Sequence, residues 1–166
     1  AMSAYDQELA KKATARYIDL VGADGLLTAE NIQFLAQGAT SSSSPAFILI
    51  KENKEKVDEL LGGKGRSAND ILASVLTNEI VIPEIRAKNN DIDFATLKAR
   101  IEKEHPYVNM SSTLASVKTQ YYFSKKNWPV FKDAVNDFIS ISNKKVSPSS
   151  LNSFAWSVFE NCDDAA

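Results

Sequence analysis

Apolar residues return at intervals of three and four along almost all of this 166-residue chain, and no stretch alternates convincingly between apolar and polar. That spacing gathers side chains on one side of a helix, whereas a half-buried strand needs a period of two. The spacing predicts an all-α fold: about eight helices packed as stacked antiparallel hairpins, forming a single helical domain over residues 1–166.

Helix boundaries follow from local chemistry. Tyr5, Leu9, Ala13, Tyr17 and Leu20 form one stripe that ends near Gly22 and Gly25. Thr28 is placed to cap a second helix carrying Ile32, Leu35 and Ala36, with Gly38 at its end. Ser44-Pro45 joins a capping hydroxyl to a proline that needs no N–H in a first turn, so a helix is expected from there to Gly62-Gly63, with Phe47, Ile50, Val57, Leu60 and Leu61 inward. Ser67 followed by Asp70 resembles a capping box ahead of Ile71, Leu72, Val75, Leu76 and Ile80, a helix that Pro83 should kink or end near Ile82. The β-branched cluster within Ile80–Ile85 is the one place where a short strand competes.

After Lys88-Asn89-Asn90, Asp91 or Asp93 caps a helix with Phe94, Leu97 and Ile101 inward, closed by His105-Pro106. Ser111 or Ser112 opens a helix with Leu114, Val117 and Tyr121, and a Lys125-Lys126-Asn127 turn joins it to another built on Trp128, Phe131, Val135, Phe138 and Ile139. The two are expected to form a helical hairpin. Ser147-Pro148 opens the last stripe, Leu151, Phe154, Ala155 and Val158. Hairpins of this size stack as tetratricopeptide repeats do, although the consensus of that repeat is not met.

Composition removes several kinds of chemistry. Nineteen basic against 21 acidic residues give a net charge of -2, without the cationic excess that draws nucleic acid or anionic lipid. No apolar run reaches the roughly 20 residues of a membrane span. Ala1 ahead of Met2 reads as a cloning remnant, so any targeting address is expected upstream. One cysteine and one histidine are too few for a disulfide framework or an all-protein Cys/His zinc site, and neither a cofactor nor a metal is expected.

Each remaining candidate has a structural explanation. Cys162 lies beside Asp163 and Asp164, whose charge disfavours a thiolate. His105 has Glu102 and Glu104 nearby as possible acid/base partners, and also suits a helix C-terminus by its charge. Leu61-Gly62-Gly63-Lys64-Gly65-Arg66-Ser67 looks like a phosphate loop, but its lysine precedes the last glycine and a charged helix stands where a buried strand is required. Residues 118–132 mix Tyr121, Tyr122, Phe123 and Trp128 with four lysines, a composition suited to single-stranded nucleic acid, yet these aromatics straddle a hairpin that would bury them.

The segments YFSKKNWPVFKDAVNDFISISNKK and LNSFAWSVFENCDD, with Tyr121, Trp128, Phe131, Leu151, Asn152, Phe154, Ala155, Trp156, Phe159 and Asp164, resemble the helical region that follows the thioredoxin domain in secreted or lipid-anchored thioredoxin-family proteins of Bacteroidetes-type bacteria. The stretch from Glu30 to Gly62, notably Ser44-Pro45-Ala46-Phe47 and Asn53-Lys54, is similar to the preceding helices of that family. The resemblance implies a periplasmic or envelope location and a parent thiol:disulfide oxidoreductase or isomerase. The family's catalytic dithiol has no counterpart here, and relative to that family the chain looks truncated at both ends.

The expectation is therefore a helical module without catalysis of its own, which holds a protein substrate or a second copy of the parent, the latter in a homo-oligomer. Tyr121, Tyr122, Lys125 and Trp128 are the expected contacts, with no nucleic acid and no membrane span. An independent hydrolase or transferase using His105, and a single-stranded nucleic-acid binder using residues 118–132, are the alternatives.

Overall fold

The Ser44 hydroxyl accepts a hydrogen bond from Phe47 N at 3.3 Å with Pro45 at the first helical position, so the cap legible in the sequence starts the helix it announces. In the computed structural model, which describes residues 4–62, 66–87, 92–142 and 146–161, every regular element is helical. The elements are α1 (Ala4–Leu26), α2 (Ile32–Gly38), α3 (Pro45–Glu52), α4 (Lys54–Leu61), α5 (Ala68–Leu76), a π-helical turn (Thr77–Val81), α6 (Ile82–Ala87), α7 (Phe94–Glu104), α8 (Ser111–Ser124), α9 (Trp128–Ser142) and α10 (Pro148–Asn161). The all-α expectation holds, and the described residues contain no strand at Ile80–Ile85 or elsewhere.

Among the described residues ten α-helical segments replace the expected eight, for two local reasons. The helix expected from Pro45 to Gly62 divides at Asn53, where φ is -123° and the side-chain amide donates to Leu49 O at 2.9 Å. Leu49 O also accepts from Asn53 N at 3.2 Å, so the amide reinforces the last turn of α3 at the residue where the backbone leaves helical geometry. The helix after Ser67 is not ended by Pro83 but widened ahead of it: Ile82 N bonds Thr77 O across five residues. The wide turn spans Glu79, whose carbonyl would otherwise face an imino ring with no N–H. It also holds one residue more than an α turn, so Val81 is fully buried while Ile80, the sequence-predicted core position, is only half-buried.

The first stripe is interrupted where expected, at Gly22 with φ 74° and ψ 162°, and helical geometry resumes only as far as Leu26, next to Gly25. One further boundary differs. Thr28 does not cap α2; its hydroxyl accepts from Asn31 N at 3.3 Å and closes the turn that precedes the helix. The capping box of α5 is present, with Ser67 Oγ accepting from Asp70 N at 3.2 Å and Asp70 Oδ2 from Ser67 N at 2.7 Å. Asp93 caps α7 through Ala95 N and Thr96 N at 3.0 and 3.1 Å; the alternative cap Asp91 lies outside the described residues.

Contacts gather the chain into two compact units. One comprises the residues up to Ile92 together with His105–Val108, and the other Asp93–Glu104 with the residues from Asn109 on. The core of the first is built from Leu35, Phe47, Ile50, Val57, Ile71, Leu72, Leu76 and Val81, each no more than 1% exposed. Helices α1 and α2 approach so closely that Gly38 is buried against Thr14, which leaves no room for a side chain. In the second unit α8 and α9 form the expected hairpin. Thr119 Oγ1, buried between them, lies 2.9 Å from Ala115 O and 3.1 Å from Ala134 O, and Lys118 pairs with Asp137 at 2.9 Å. The fully buried Phe131 stands at its centre.

Candidate functional site

The turn between α8 and α9 is a Schellman closure. Asn127 N donates to Tyr122 O at 3.1 Å and Lys126 N to Phe123 O at 3.0 Å, with Lys126 at φ 53° in the left-handed position usually given to glycine. This geometry fixes the four expected contact residues. Tyr121 is buried, with its ring 5.6 Å edge-to-face from Phe94 and 5.2 Å from Tyr122. Tyr122 and Trp128 are half-buried, and Trp128 packs edge-on against Phe123 at 5.7 Å and Phe131 at 5.9 Å. Lys125 is exposed, its ammonium 5.7 Å above the Tyr121 ring. Burial thus draws most of this aromatic surface into hairpin packing, and Phe123 is the large apolar side chain of the turn left facing water.

The broader apolar exposure lies on α9 and α10. Phe154 ties α10 down, with ring centres 6.3 Å from Phe131 and 6.1 Å from Phe138. On one flank of that contact an open groove of about 400 Å³ runs between Lys132, Val135, Asn136 and Ile139 of α9 and Leu151, Ala155 and Phe159 of α10. Around the helix from Phe159, Trp156 extends the apolar surface, 5.7 Å from Phe159 and edge-to-face with it. No residue of α10 is buried; Trp156 is 54% and Phe159 67% exposed. The described length of α10 carries a single charged residue, Glu160. A helix with one charged residue that keeps two large aromatic rings in water has the composition of the core of a protein interface, where charge is depleted and Trp and Phe are enriched. The expected stripe of Leu151, Phe154, Ala155 and Val158 accounts for the attachment of α10 but passes over Trp156 and Phe159. The signal was present: six apolar residues within Leu151–Phe159 are more than one face can bury.

His105 meets the hydroxyl of Tyr107, with 2.7 Å between Nδ1 and the phenol oxygen. Tyr107 is held in turn by Phe47, edge-on at 6.4 Å, by Lys51 5.4 Å above its ring, and by Lys54 Nζ, which donates to Tyr107 O at 2.8 Å. Burial, and secondarily the negative charge of Glu79, raise the pKa of this phenol above its usual value. The shift favours the protonated phenol, the form that can donate to His105 Nδ1. Lys64, Cys162 and the two aspartates that follow it lie outside the described residues. Among the described residues no three or more His, Cys, Asp or Glu gather as metal ligands, and no helix is long and apolar enough to cross a membrane.

Arg66 and Ser67, at the end of the glycine-rich turn, are described. The amides a bound phosphate would use are already engaged: Ser67 N bonds Asp70, and Ala68 N bonds Asp58 Oδ1 at 2.6 Å. Comparison with protein-family models, curated proteins and solved structures finds no match for this chain.

Proposed function

We propose that this chain is a non-catalytic helical interaction module that holds a protein partner on the face formed by α9 and α10. The observation that carries this reading is the exposure of Trp156 and Phe159 beside an apolar groove, on a helix with almost no charge. Large rings buried at the centre of an interface contribute most of its affinity, and such a groove suits the apolar side of a partner helix or extended segment.

The resemblance supports a finer reading. The segment that carries it, Tyr122–Asp164, includes both helices of this face, so the module would serve a periplasmic, thioredoxin-like oxidoreductase or isomerase. Holding a reducible substrate, or a second copy, near the dithiol raises its effective concentration without any new chemistry.

The general reading is tested by equilibrium binding of the chain to a reduced, thiol-blocked, unfolded protein. Replacing Trp156 and Phe159 together by alanine is expected to weaken binding about tenfold or more and to leave the melting temperature nearly unchanged, because both rings are exposed. No binding by the wild type, or equal binding by the variant, refutes it. The finer reading is tested by thiol transfer in the parent enzyme with and without this region: deletion should raise KM and leave kcat in place. A fall in kcat at constant KM contradicts it.

A further inference from the structure

Arg66, the residue after the glycine-rich stretch, borders a second concavity. One side of α2 and the end of α4 line an open groove of about 410 Å³, whose apolar floor comprises Ile32, Ala36, Leu60 and Ile71. Ile32 and Ile71 are almost fully buried, so the floor belongs to the packed core and is preformed. Three polar side chains reach the same groove: Gln33 and Gln37, one turn apart on α2, and Arg66 ahead of α5. Among the described residues none of the three has a hydrogen bond or an ion pair, although carboxylates stand close to Arg66 in the chain. Asp70 is committed to Ser67 N and Oγ at 2.7 and 2.8 Å, and Asp58 to Ala68 N at 2.6 Å.

A guanidinium fork and two carboxamides with unspent hydrogen bonds, lining one groove beside apolar side chains, are the parts of a site for a small amphiphilic anion. The charge of that anion is limited. Among the described residues one cation lines the groove, and the α5 amides that would assist a doubly charged phosphate are held by Asp58 and Asp70. A planar, singly charged carboxylate matches the fork in geometry and charge.

We infer that this groove binds a carboxylate carried on a compact aliphatic group, with Arg66 pairing the carboxylate, Gln33 and Gln37 bonding its flanks, and the half-buried Ala36, Leu60 and Leu61 receiving the aliphatic part. The C-terminus of a protein ending in leucine and a free branched short-chain acid share this chemistry. The site lies in the unit up to Ile92, whereas the α9–α10 face belongs to the other, so neither proposal depends on the other.

The test is calorimetric or NMR titration with 4-methylpentanoate and a leucine-terminated tetrapeptide, each as free acid and as amide. Both acids are expected to bind, with the amides at least about tenfold weaker, since an ion pair and its bidentate geometry are lost. Arg66→Gln should remove the acid preference without lowering the melting temperature, Arg66→Lys should retain part of it, and Gln33→Ala with Gln37→Ala should weaken binding a fewfold. Tighter binding of the peptide identifies a chain end as the occupant, and equal or tighter binding of the small acid identifies the free acid. Equal affinity for acid and amide, indifference to Arg66→Gln, or no binding of either acid overturns the inference.

Discussion

Gly38 shows how much a single hydrogen can decide. A β-carbon built there would stand 2.3 Å from Thr14 Cγ2, and a β-branched threonine has little rotameric freedom to retreat. Gly38→Ala is therefore expected to lose about 1–3 kcal/mol in urea unfolding. Combining it with Thr14→Ala should cost less than the sum of the two single changes, because the second removes the obstruction met by the first. Tyr107 offers a test by pH. Its phenol holds its proton more tightly in the folded chain than in the unfolded one, so this contribution to stability is complete below about pH 10 and declines as pH rises beyond it. Tyr107→Phe should remove that alkaline decline while losing the His105 hydrogen bond at every pH, a pattern that denaturant midpoints between about pH 8 and 11 will reveal. At this scale the sequence was readable where a residue and its partner lie within a few positions. Ser44 and Phe47, or Ser67 and Asp70, are neighbours in the chain, whereas the meeting of Thr14 with Gly38 depends on two helices finding one another. Tyr107 as the partner of His105 was missed because carboxylates stood equally near in the chain.

Helices α8 and α9 meet through a turn whose left-handed residue is lysine. Replacing Lys126 by glycine should relieve the crowding of a β-carbon at φ 53° and stabilise the chain by about 0.5–1 kcal/mol, measured from the urea midpoint at constant slope. Loss of stability on this change would mean that the lysine side chain does more for the turn than its backbone costs. Elements were legible to the extent that their signals were local. The apolar period gave the helical class, and serine-proline pairs gave two starts. The division at Asn53 was not legible, since asparagine inside an amphipathic stretch looks like any solvated position until its amide turns back to Leu49. Nor was the exposure of Trp156 and Phe159, because the stripe of α10 fits more than one rotation of the helix. Contact with Phe138 and Phe131 selects the rotation that leaves those rings outside.

For the molecule as a whole, a near balance of charge acts together with exposed apolar surface. The net charge is -2 at pH 7 and the isoelectric point is near 5.5, so mutual repulsion between copies is weak at neutral pH and vanishes slightly below it. Light scattering at constant protein concentration should peak near pH 5.5, and replacing Trp156 and Phe159 by serine should lower that peak. A peak insensitive to the pair would place the association elsewhere on the surface. The widened turn at Thr77–Val81 carries a separate implication, for how such a chain tolerates change in length. Because it holds one residue beyond an α-helical turn, removing one there, with Pro83 replaced by alanine, would leave the inward-facing positions before and after it in step. Within a regular α-helix a lost codon rotates the rest of that helix by about 100 degrees; at this turn the architecture can absorb one.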